Sequence, residues 1–242
     1  MPEIKNIGSL IEEIKKTESQ FDNAQLWFRG QRDYSWNLIP SVHRVDPILE
    51  TEFANRFRLQ APGVHSNCPP TKDYPKWLPF MQHYGLPTRL LDWTESPLIA
   101  LFFAAENRNF SGDRSLWMLA PGKLNLQYGF EPIPFLENEQ IKTTVENTFN
   151  HEKKETPYEF LSVTAPHHDS RISMQMAQFT IHNVREPLEK HANAMTFIRK
   201  FKIPDNAIQI IRTELNILGV RRSKIYPDLD NLAKEISEII AI

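Results

Sequence analysis

The segment Pro97 to Ala105 constrains the fold more than any other part of the chain, because the helix that it predicts is apolar on nearly every side. Thr94-Glu-Ser-Pro97 is a strong start signal, with a hydroxyl cap at Ser96 and proline at the first helical position. The predicted helix continues to roughly Asn107. Since a helix without a polar face must be covered by other elements, we expect it in the core.

Apolar residues at helical spacing predict four further helices. The first is read from a capping box at Ser9-Leu10-Ile11-Glu12. The others begin near Ile48, Ile208 and Leu229, and the last of them follows the stop-and-cap sequence Tyr226-Pro-Asp.

Shorter runs rich in aromatic and β-branched residues predict strands. These runs are Leu26–Phe28, Ser115–Leu119, Gln178–His182 and Ala194–Phe201. Residues 131–159 carry seven acidic and three basic side chains and show no clear period, so they are expected as a solvated excursion, part helix and part loop. The predicted class is α+β: residues 1–242 form a single domain with a mixed or antiparallel sheet flanked by helices.

Composition narrows the functional classes. A formal net charge of −2 gives no global electrostatic reason to bind nucleic acid or a membrane surface. Eighteen prolines stand against 8 glycines, and neither GxGxxG nor GxxxxGK[ST] occurs, which disfavours Rossmann dehydrogenases and P-loop NTPases. The single cysteine, Cys68, excludes an internal disulfide and fits a reducing compartment. With no signal-peptide pattern and no run long enough for a membrane span, we expect a cytoplasmic protein without a membrane partner.

The densest group of polar and aromatic side chains lies between Phe80 and Thr94. Apolar residues interrupt the group, so its polar members are expected on a partly buried wall, where each needs a partner. One interpretation is a self-satisfied turn in which Asp92 pairs with Arg89 or caps a helix. The other is a ligand site, because the helix that starts at Ser96 follows directly and helix N-termini favour anions. The candidate residues are Gln82, His83, Tyr84, Arg89, Asp92, Trp93 and Thr94.

Two further segments carry candidate site residues. In Trp27-Phe-Arg-Gly-Gln-Arg32, an arginine at the end of an aromatic strand followed by Gly30 could bring a guanidinium and close backbone to a phosphate, or could simply stack on Trp27. Gln31 belongs to the same segment. In Ser170–Thr180, Gln175 sits among apolar residues and needs either a ligand or neighbouring backbone as its partner.

A metal centre is not expected. His167-His168-Asp169 resembles a ligand set, but adjacent side chains on a strand point to opposite faces. One local basic stretch, residues 199–224, is read either as a solvated face or as a contact for an acidic partner or nucleic acid.

With these residues in view, the sequence resembles the FRG-domain family, whose name comes from a Phe-Arg-Gly motif. The resemblance spans most of the chain. It rests on Phe28-Arg-Gly-Gln31, Gln82–Thr94 with Ser96-Pro97 and Ala100–Ala104, Arg171 with Gln175 and Phe179-Thr180, and Leu218-Gly219 with Pro227–Asp230. Met176-Ala177 stand where the family usually has Gln-Gly.

The order of these segments is also similar to that in ADP-ribosyltransferases, where an aromatic-Arg strand holds the NAD phosphates and a late Glu orients the ribose. That resemblance implies an ADP-ribosyltransferase-like sheet and NAD as the substrate nucleotide. It implies that Arg29 binds the pyrophosphate, that Trp93 or Tyr84 stacks on the nicotinamide, and that Asp92 and Thr94 hold the ribose, with Gln175 in the place of the late acid. The remaining cofactor-binding candidates are Gln31, Gln82, His83, Arg89 and Arg171.

Three functions follow as hypotheses. The first is an NAD-using ADP-ribosyltransferase or NAD glycohydrolase, acting on an unknown macromolecular target as a bacterial or phage toxin or defence effector. The second is a non-catalytic module that binds a nucleotide or a phosphorylated partner, and the third is a nuclease-like hydrolase that uses His83 and Asp92. We also expect Arg29, Asp92 and Gln175 to line one cleft, although they are spread over about 150 positions of sequence. The reason is that three polar groups in apolar surroundings each need partners, and convergence supplies them.

Overall fold

A computed structural model describes residues 2–46, 48–165 and 173–240. Its helices are α1 (Ile7–Gln20), α2 (Ile48–Gln60), α3 (Tyr74–His83), α4 (Pro97–Ala105), α5 (Pro121–Leu126), α6 (Lys142–Glu146), α7 (Ile208–Ile217), α8 (Arg222–Ile225) and α9 (Leu229–Ile240). Its strands are β1 (Trp27–Gln31), β2 (Leu90–Thr94), β3 (Arg114–Leu119), β4 (Phe160–Val163), β5 (Ala177–His182) and β6 (Ile198–Ile203).

The six strands form one antiparallel sheet in the order β4-β5-β2-β1-β3-β6. With helices packed against it, this confirms the α+β class. Four of the five strand pairs are continuous ladders: β1 pairs with β3 from Trp27 to Gln31, and β2 pairs with β5 from Leu90 to Thr94. By contrast, the central pair β1–β2 meets at a single position, Phe28 opposite Thr94. The two halves of the sheet therefore join at one point and diverge beyond it.

Helices cover one face of the sheet in two separate groups. Side chains of β1, β3 and β6 on this face pack under α1, α4 and α7, and those of β5 and β4 pack under α3 and α6. The opposite face carries Trp27, Trp93 and Trp117, which pack against α5 and the loops around Leu38 and Leu188. Because the two helix groups stand apart, the middle of the sheet lies uncovered between α3 and α4.

The apolar helix forms where the sequence predicts it. Ser96 caps α4, its Oγ accepting a hydrogen bond from the Ile99 amide at 3.4 Å, and Leu101 is fully buried. However, Phe102 and Phe103 are only partly buried. The expectation that the whole helix lies in the core therefore holds only in part: Phe102 packs at the margin of the core, and Phe103 faces the gap beside α3.

Other local predictions need correction. The capping box of α1 pairs Asn6 with Ser9, rather than Ser9 with Glu12, and the helix begins at Ile7. Residues 194–196 form a 3-10 turn, so β6 starts at Ile198 rather than at Ala194. Neither β2 nor β4 is predicted from the sequence, and β2 occupies the end of the stretch for which a turn is one interpretation. The expectation that residues 131–159 are solvated is wrong, because the segment contains α6 and buries Leu136, Val145 and Tyr158 in the core. Among the described residues, no helix has the length and apolarity of a membrane span.

Candidate functional site

A cavity of about 270 Å³ opens over the uncovered middle of the sheet. Strands β1, β2 and β5 form its floor, with α3 on one side and α4 on the other. Its lining residues are Phe28, Arg29, Gly30, Pro79, Gln82, His83, Asp92, Trp93, Thr94, Phe103, Gln175, Ala177 and Phe179. The cavity therefore contains Arg29, Asp92 and Gln175, which confirms the predicted convergence of these three residues.

Arg29 lies where the two halves of the sheet diverge. Its Nη1 donates a hydrogen bond of 2.6 Å to the carbonyl oxygen of Asp92, so the side chain bridges the gap between β1 and β2. Its Nε is buried and has no hydrogen-bond partner among the described residues. Burial lowers the pKa of the Arg29 guanidinium, and the nearby Asp92 carboxylate opposes that shift. One edge of a positively charged fork is thus held by the protein, while a buried donor on another edge remains unused.

Asp92 supplies the negative charge of the cavity. It is the one exposed residue of β2, and 55% of its side chain is exposed, against 21% for Arg29. Its Oδ2 lies 4.0 Å from Arg29 Nη1, so the two groups interact without a close ion pair. Both are therefore available to a ligand that carries anionic oxygens and hydroxyl groups.

Gln175 reaches the cavity from the turn before β5. Its backbone oxygen accepts a 2.6 Å hydrogen bond from Thr94 Oγ1, and its Nε2 donates to the carbonyl oxygen of Ile225 at 3.2 Å. Thr94 also accepts from the Ser96 amide at 3.1 Å. These two bonds use the proton and one acceptor position of the Thr94 hydroxyl, so it could only accept a further hydrogen bond, and its role in holding a ribose stays a prediction. Thr94 also ties the Gln175 turn to the start of α4.

Gly30 has a different role from the one predicted. A Cβ at this position would lie 1.8 Å from the carbonyl oxygen of Ala100 and 2.8 Å from the Ala104 amide nitrogen. The glycine is therefore needed because α4 packs directly on the β1 backbone. The expected open approach of a phosphate to this backbone is wrong, although Gly30 borders the cavity.

Four of the predicted binding residues are not available to a ligand in this cavity. Gln31 is buried and accepts a 2.8 Å hydrogen bond from Trp117 Nε1. Trp93 borders the cavity, but its indole packs on the opposite sheet face and donates to Thr180 Oγ1, so it cannot stack on a nicotinamide. Tyr84 lies outside the lining, against His65 and Phe80.

Arg89 is the fourth predicted binding residue that is not available to a ligand in this cavity. Its guanidinium forms a buried bidentate pair with Glu50, at 2.7 and 2.6 Å, and lines a second, larger cavity of about 1050 Å³. Its Nη1 donates hydrogen bonds to Asn183 Oδ1 and to the Thr144 carbonyl oxygen. The pairing of Asp92 with Arg89 considered from the sequence is therefore wrong, since Glu50 is the partner.

The remaining candidates divide between the cavity and the undescribed part of the chain. Gln82 and His83 line the cavity from α3, where Gln82 Nε2 also donates to the Leu90 carbonyl at 3.3 Å. Arg171 lies outside the described residues, as do His167, His168 and Asp169. Among the residues that the structure describes, no group of three or more potential metal ligands occurs.

Sequence reasoning missed the apolar walls of the cavity, which are Phe28, Phe103, Ala177 and Phe179. Phe28 and Phe179 belong to adjacent halves of the sheet, and Phe103 lies on α4. Nothing in their local sequence distinguishes them from core residues, because only the separation of α3 from α4 leaves them beside open space.

The basic stretch 199–224 does not form one continuous surface. Arg199 and Lys200 lie on opposite faces of β6: Arg199 packs over Phe21, whereas Lys200 lies between Tyr34 and Trp117. Arg212 donates to the Ala105 carbonyl. These intramolecular contacts account for much of the stretch, and a contact with an acidic partner or nucleic acid stays a prediction.

The comparison with protein families gives a match over part of the chain. Residues 24–113 match the family model of the FRG domain. The chain contains an FRG domain. Searches of curated proteins and of solved structures found no match.

The FRG domain supplies most of the cavity but does not complete it. The matched residues include β1, β2, α3 and α4, and with them Arg29 and Asp92. Gln175, Ala177 and Phe179 lie beyond the match, as do the other sequence anchors after residue 113. Strand β5 therefore closes a site whose charged residues all belong to the FRG domain.

Proposed function

We propose that the chain binds NAD in the 270 Å³ cavity that Arg29 lines, called the Arg29 cavity below, and that it transfers ADP-ribose from the bound NAD. The observation that carries the proposal is the Arg29 guanidinium, which spans the gap between β1 and β2 with a buried, unpartnered Nε. A planar guanidinium fork suits the paired oxygens of a pyrophosphate. A buried donor without a partner is costly, so a ligand that accepts from it gains affinity.

The cavity is suited to one half of the dinucleotide. Pockets for small molecules commonly measure about 300–1,000 Å³, so 270 Å³ is enough for a nicotinamide and its ribose rather than for the whole of NAD. Phe103 and Phe179 offer apolar walls for the nicotinamide ring in place of Trp93 and Tyr84. The pyrophosphate then lies at Arg29, and the adenosine half lies outside the cavity.

The proposed reaction breaks the glycosidic bond between ribose C1′ and the nicotinamide nitrogen. The electron pair of this bond leaves with nicotinamide. A nucleophile on the target, or water, bonds to C1′, and its proton passes to Asp92 or to solvent. The positive charge that develops on the ribose needs a nearby anion. Asp92 is the carboxylate of the cavity and takes this role, because the neutral Gln175 cannot.

Binding without turnover is the second candidate. The late acid of ADP-ribosyltransferases is replaced by Gln175, and the amide of Gln175 already donates to the Ile225 carbonyl. A site with that arrangement would hold a nucleotide and lack the second charged group. Nicotinamide release from bound NAD separates the two candidates.

The test is Arg29→Lys, which keeps the charge and loses the planar fork. We expect NAD affinity to fall about tenfold to a hundredfold, as for the loss of a charge-assisted hydrogen bond of about 1.5–3 kcal/mol. Calorimetric titration gives the dissociation constant, and a thermal melt of the same sample reports stability. Arg32→Lys is the matched control, since Arg32 is exposed and stacks on Trp36 outside the cavity. Unchanged NAD affinity beside a lowered melting temperature would assign Arg29 a structural role only.

A further inference from the structure

The C-terminal segment of the described chain supports two walls of the Arg29 cavity. Helix α8 brings the Ile225 carbonyl to Gln175 Nε2, at 3.2 Å. The next residue, Tyr226, packs its ring edge-on against Phe103, with centroids 6.2 Å apart and an interplanar angle of 70°. Gln175 and Phe103 both line the cavity. Two lining side chains that are far apart in sequence therefore share one support.

The Glu106 carboxylate fastens this support to the body of the protein. Glu106 follows the last residue of α4, and its Oε1 accepts a 2.5 Å hydrogen bond from Arg222 Nη1. Its Oε2 accepts from the Tyr226 hydroxyl at 3.1 Å, while the Arg222 guanidinium lies 5.3 Å from the centre of the Tyr226 ring. Both oxygens of Glu106 are thus used to hold α8, one at its first residue and one directly after its last.

Two other hydrogen bonds of α8 are with the helix that follows it: Arg222 Nε donates to Asn231 Oδ1, and the Ser223 amide donates to Glu235 Oε2. Helix α8 has four residues, too few to be stable without tertiary contacts. The helix that follows, α9, leaves Leu229 and Ile240 about four-fifths exposed, so it provides little apolar packing on the rest of the protein. The position of α8 therefore depends strongly on the Glu106 contacts and on the buried Ile225.

We infer that Glu106 is a positioning residue for the Arg29 cavity, acting through α8 on Gln175 and Phe103. Loss of its carboxylate weakens the attachment of Arg222 and Tyr226 to the end of α4, so the Phe103 ring and the Gln175 turn gain freedom. A ligand then has to order these groups on binding, which lowers its affinity. The effect on NAD rests on the function proposed above, whereas the effect on the Gln175 turn is a property of the protein alone.

The experiment compares Glu106→Gln, which removes the charge of the contact, and Arg222→Met, which removes its donor, with Asp113→Asn. The control removes the charge from a comparable, partly exposed ion pair, Asp113–Lys202 at 2.7 Å, which has no contact with the cavity lining. Hydrogen exchange of the amides in residues 173–178 is measured without ligand, and NAD affinity is measured by calorimetry. Thermal melts report any general loss of stability.

We expect the amides of residues 173–178 to exchange faster in Glu106→Gln and in Arg222→Met than in the control. Both variants should also bind NAD about threefold to thirtyfold more weakly than the unmodified protein, the range usual for coupling between connected residues. Exchange no faster than in Asp113→Asn would overturn the inference, as would normal NAD affinity in a variant whose exchange is faster. If the unmodified protein fails to bind NAD, the proposed function falls, and the exchange rates alone decide whether Glu106 positions the cavity.

Discussion

Two neighbouring residues of β1 perform separate tasks that the sequence presents as one motif. Arg29 reaches sideways across the gap in the sheet to the Asp92 carbonyl. Gly30 lies beneath α4, where a side chain would collide with the Ala100 carbonyl. The glycine brings the helix close to the strand, and the arginine occupies the space where the next strand diverges. Adjacent residues can perform these separate tasks because successive residues of a strand face opposite sides of the sheet.

At this scale we predict that Gly30→Ala destabilises the protein by about 3 kcal/mol or more. The added methyl group would lie 1.8 Å from a backbone oxygen, so α4 would have to move away from β1. Chemical denaturation measures the loss. Gly122→Ala serves as the control, because its Cβ would meet nothing within 4 Å and it lies within α5, where alanine is favoured. Equal effects of the two substitutions would contradict the close packing of α4 on β1.

At the scale of elements, α4 is both a core helix and one side of the cavity. Ala100, Leu101 and Ala104 are fully buried, whereas Phe102 and Phe103 retain exposed surface. Its apolar circumference is thus explained by two environments: the core covers one part, and the other part faces the cavity and Tyr226.

This division predicts unequal effects of truncation within one helix. Leu101→Ala should cost about 2–5 kcal/mol of unfolding free energy, the usual range for a buried leucine. Phe102→Ala should cost less, despite removing a larger side chain, because the ring is only partly buried. Urea denaturation of both variants tests the order. A larger loss for Phe102→Ala would show that the outer side of α4 is covered in solution.

At the scale of the whole molecule, two histidines make stability depend on pH. Burial lowers the pKa of His43 to about 4, and burial, with the charges of His43 and Arg29 adding to it, holds the pKa of His182 well below 6.5. Their rings lie 6.5 Å apart. In the unfolded chain both take up protons near pH 6.5, while in the folded protein they stay neutral to lower pH.

Folding stability should therefore fall as the pH drops from about 6.5 to 4, with His43 alone accounting for about 3 kcal/mol over that interval. The Glu50–Arg89 pair adds to this loss only at the acid end of the interval. Burial raises the pKa of Glu50, but Arg89 outweighs it and leaves the pKa below the usual 4.5, so the unfolded chain takes up this proton before the folded protein does. Unfolding curves for the unmodified protein and for His43→Gln, measured at intervals between pH 7 and 4, test this. Parallel pH profiles for the two proteins would contradict it.

Much of the local structure could be predicted from the sequence. The cap at Ser96, the proline after it and the apolar run define α4 without reference to anything else. Strands such as β3 and β5 follow from β-branched and aromatic runs in the same way. The pattern failed at β2, because Leu90–Thr94 mixes polar with apolar residues and follows a proline turn. That strand became apparent only through its ladder with β5.

The sequence by itself also determined which residues were available for chemistry: Arg29, Asp92 and Gln175 stood out as polar groups in apolar surroundings. Tertiary structure alone decided which of them meet. Arg89 and Gln31 have the same character in sequence, yet one is buried against Glu50 and the other against Trp117. The physical reason is that a cavity is the space left between elements. Here the cavity exists because β1 and β2 pair at one position only and because α3 stands apart from α4. Neither feature is encoded in any single segment of the chain.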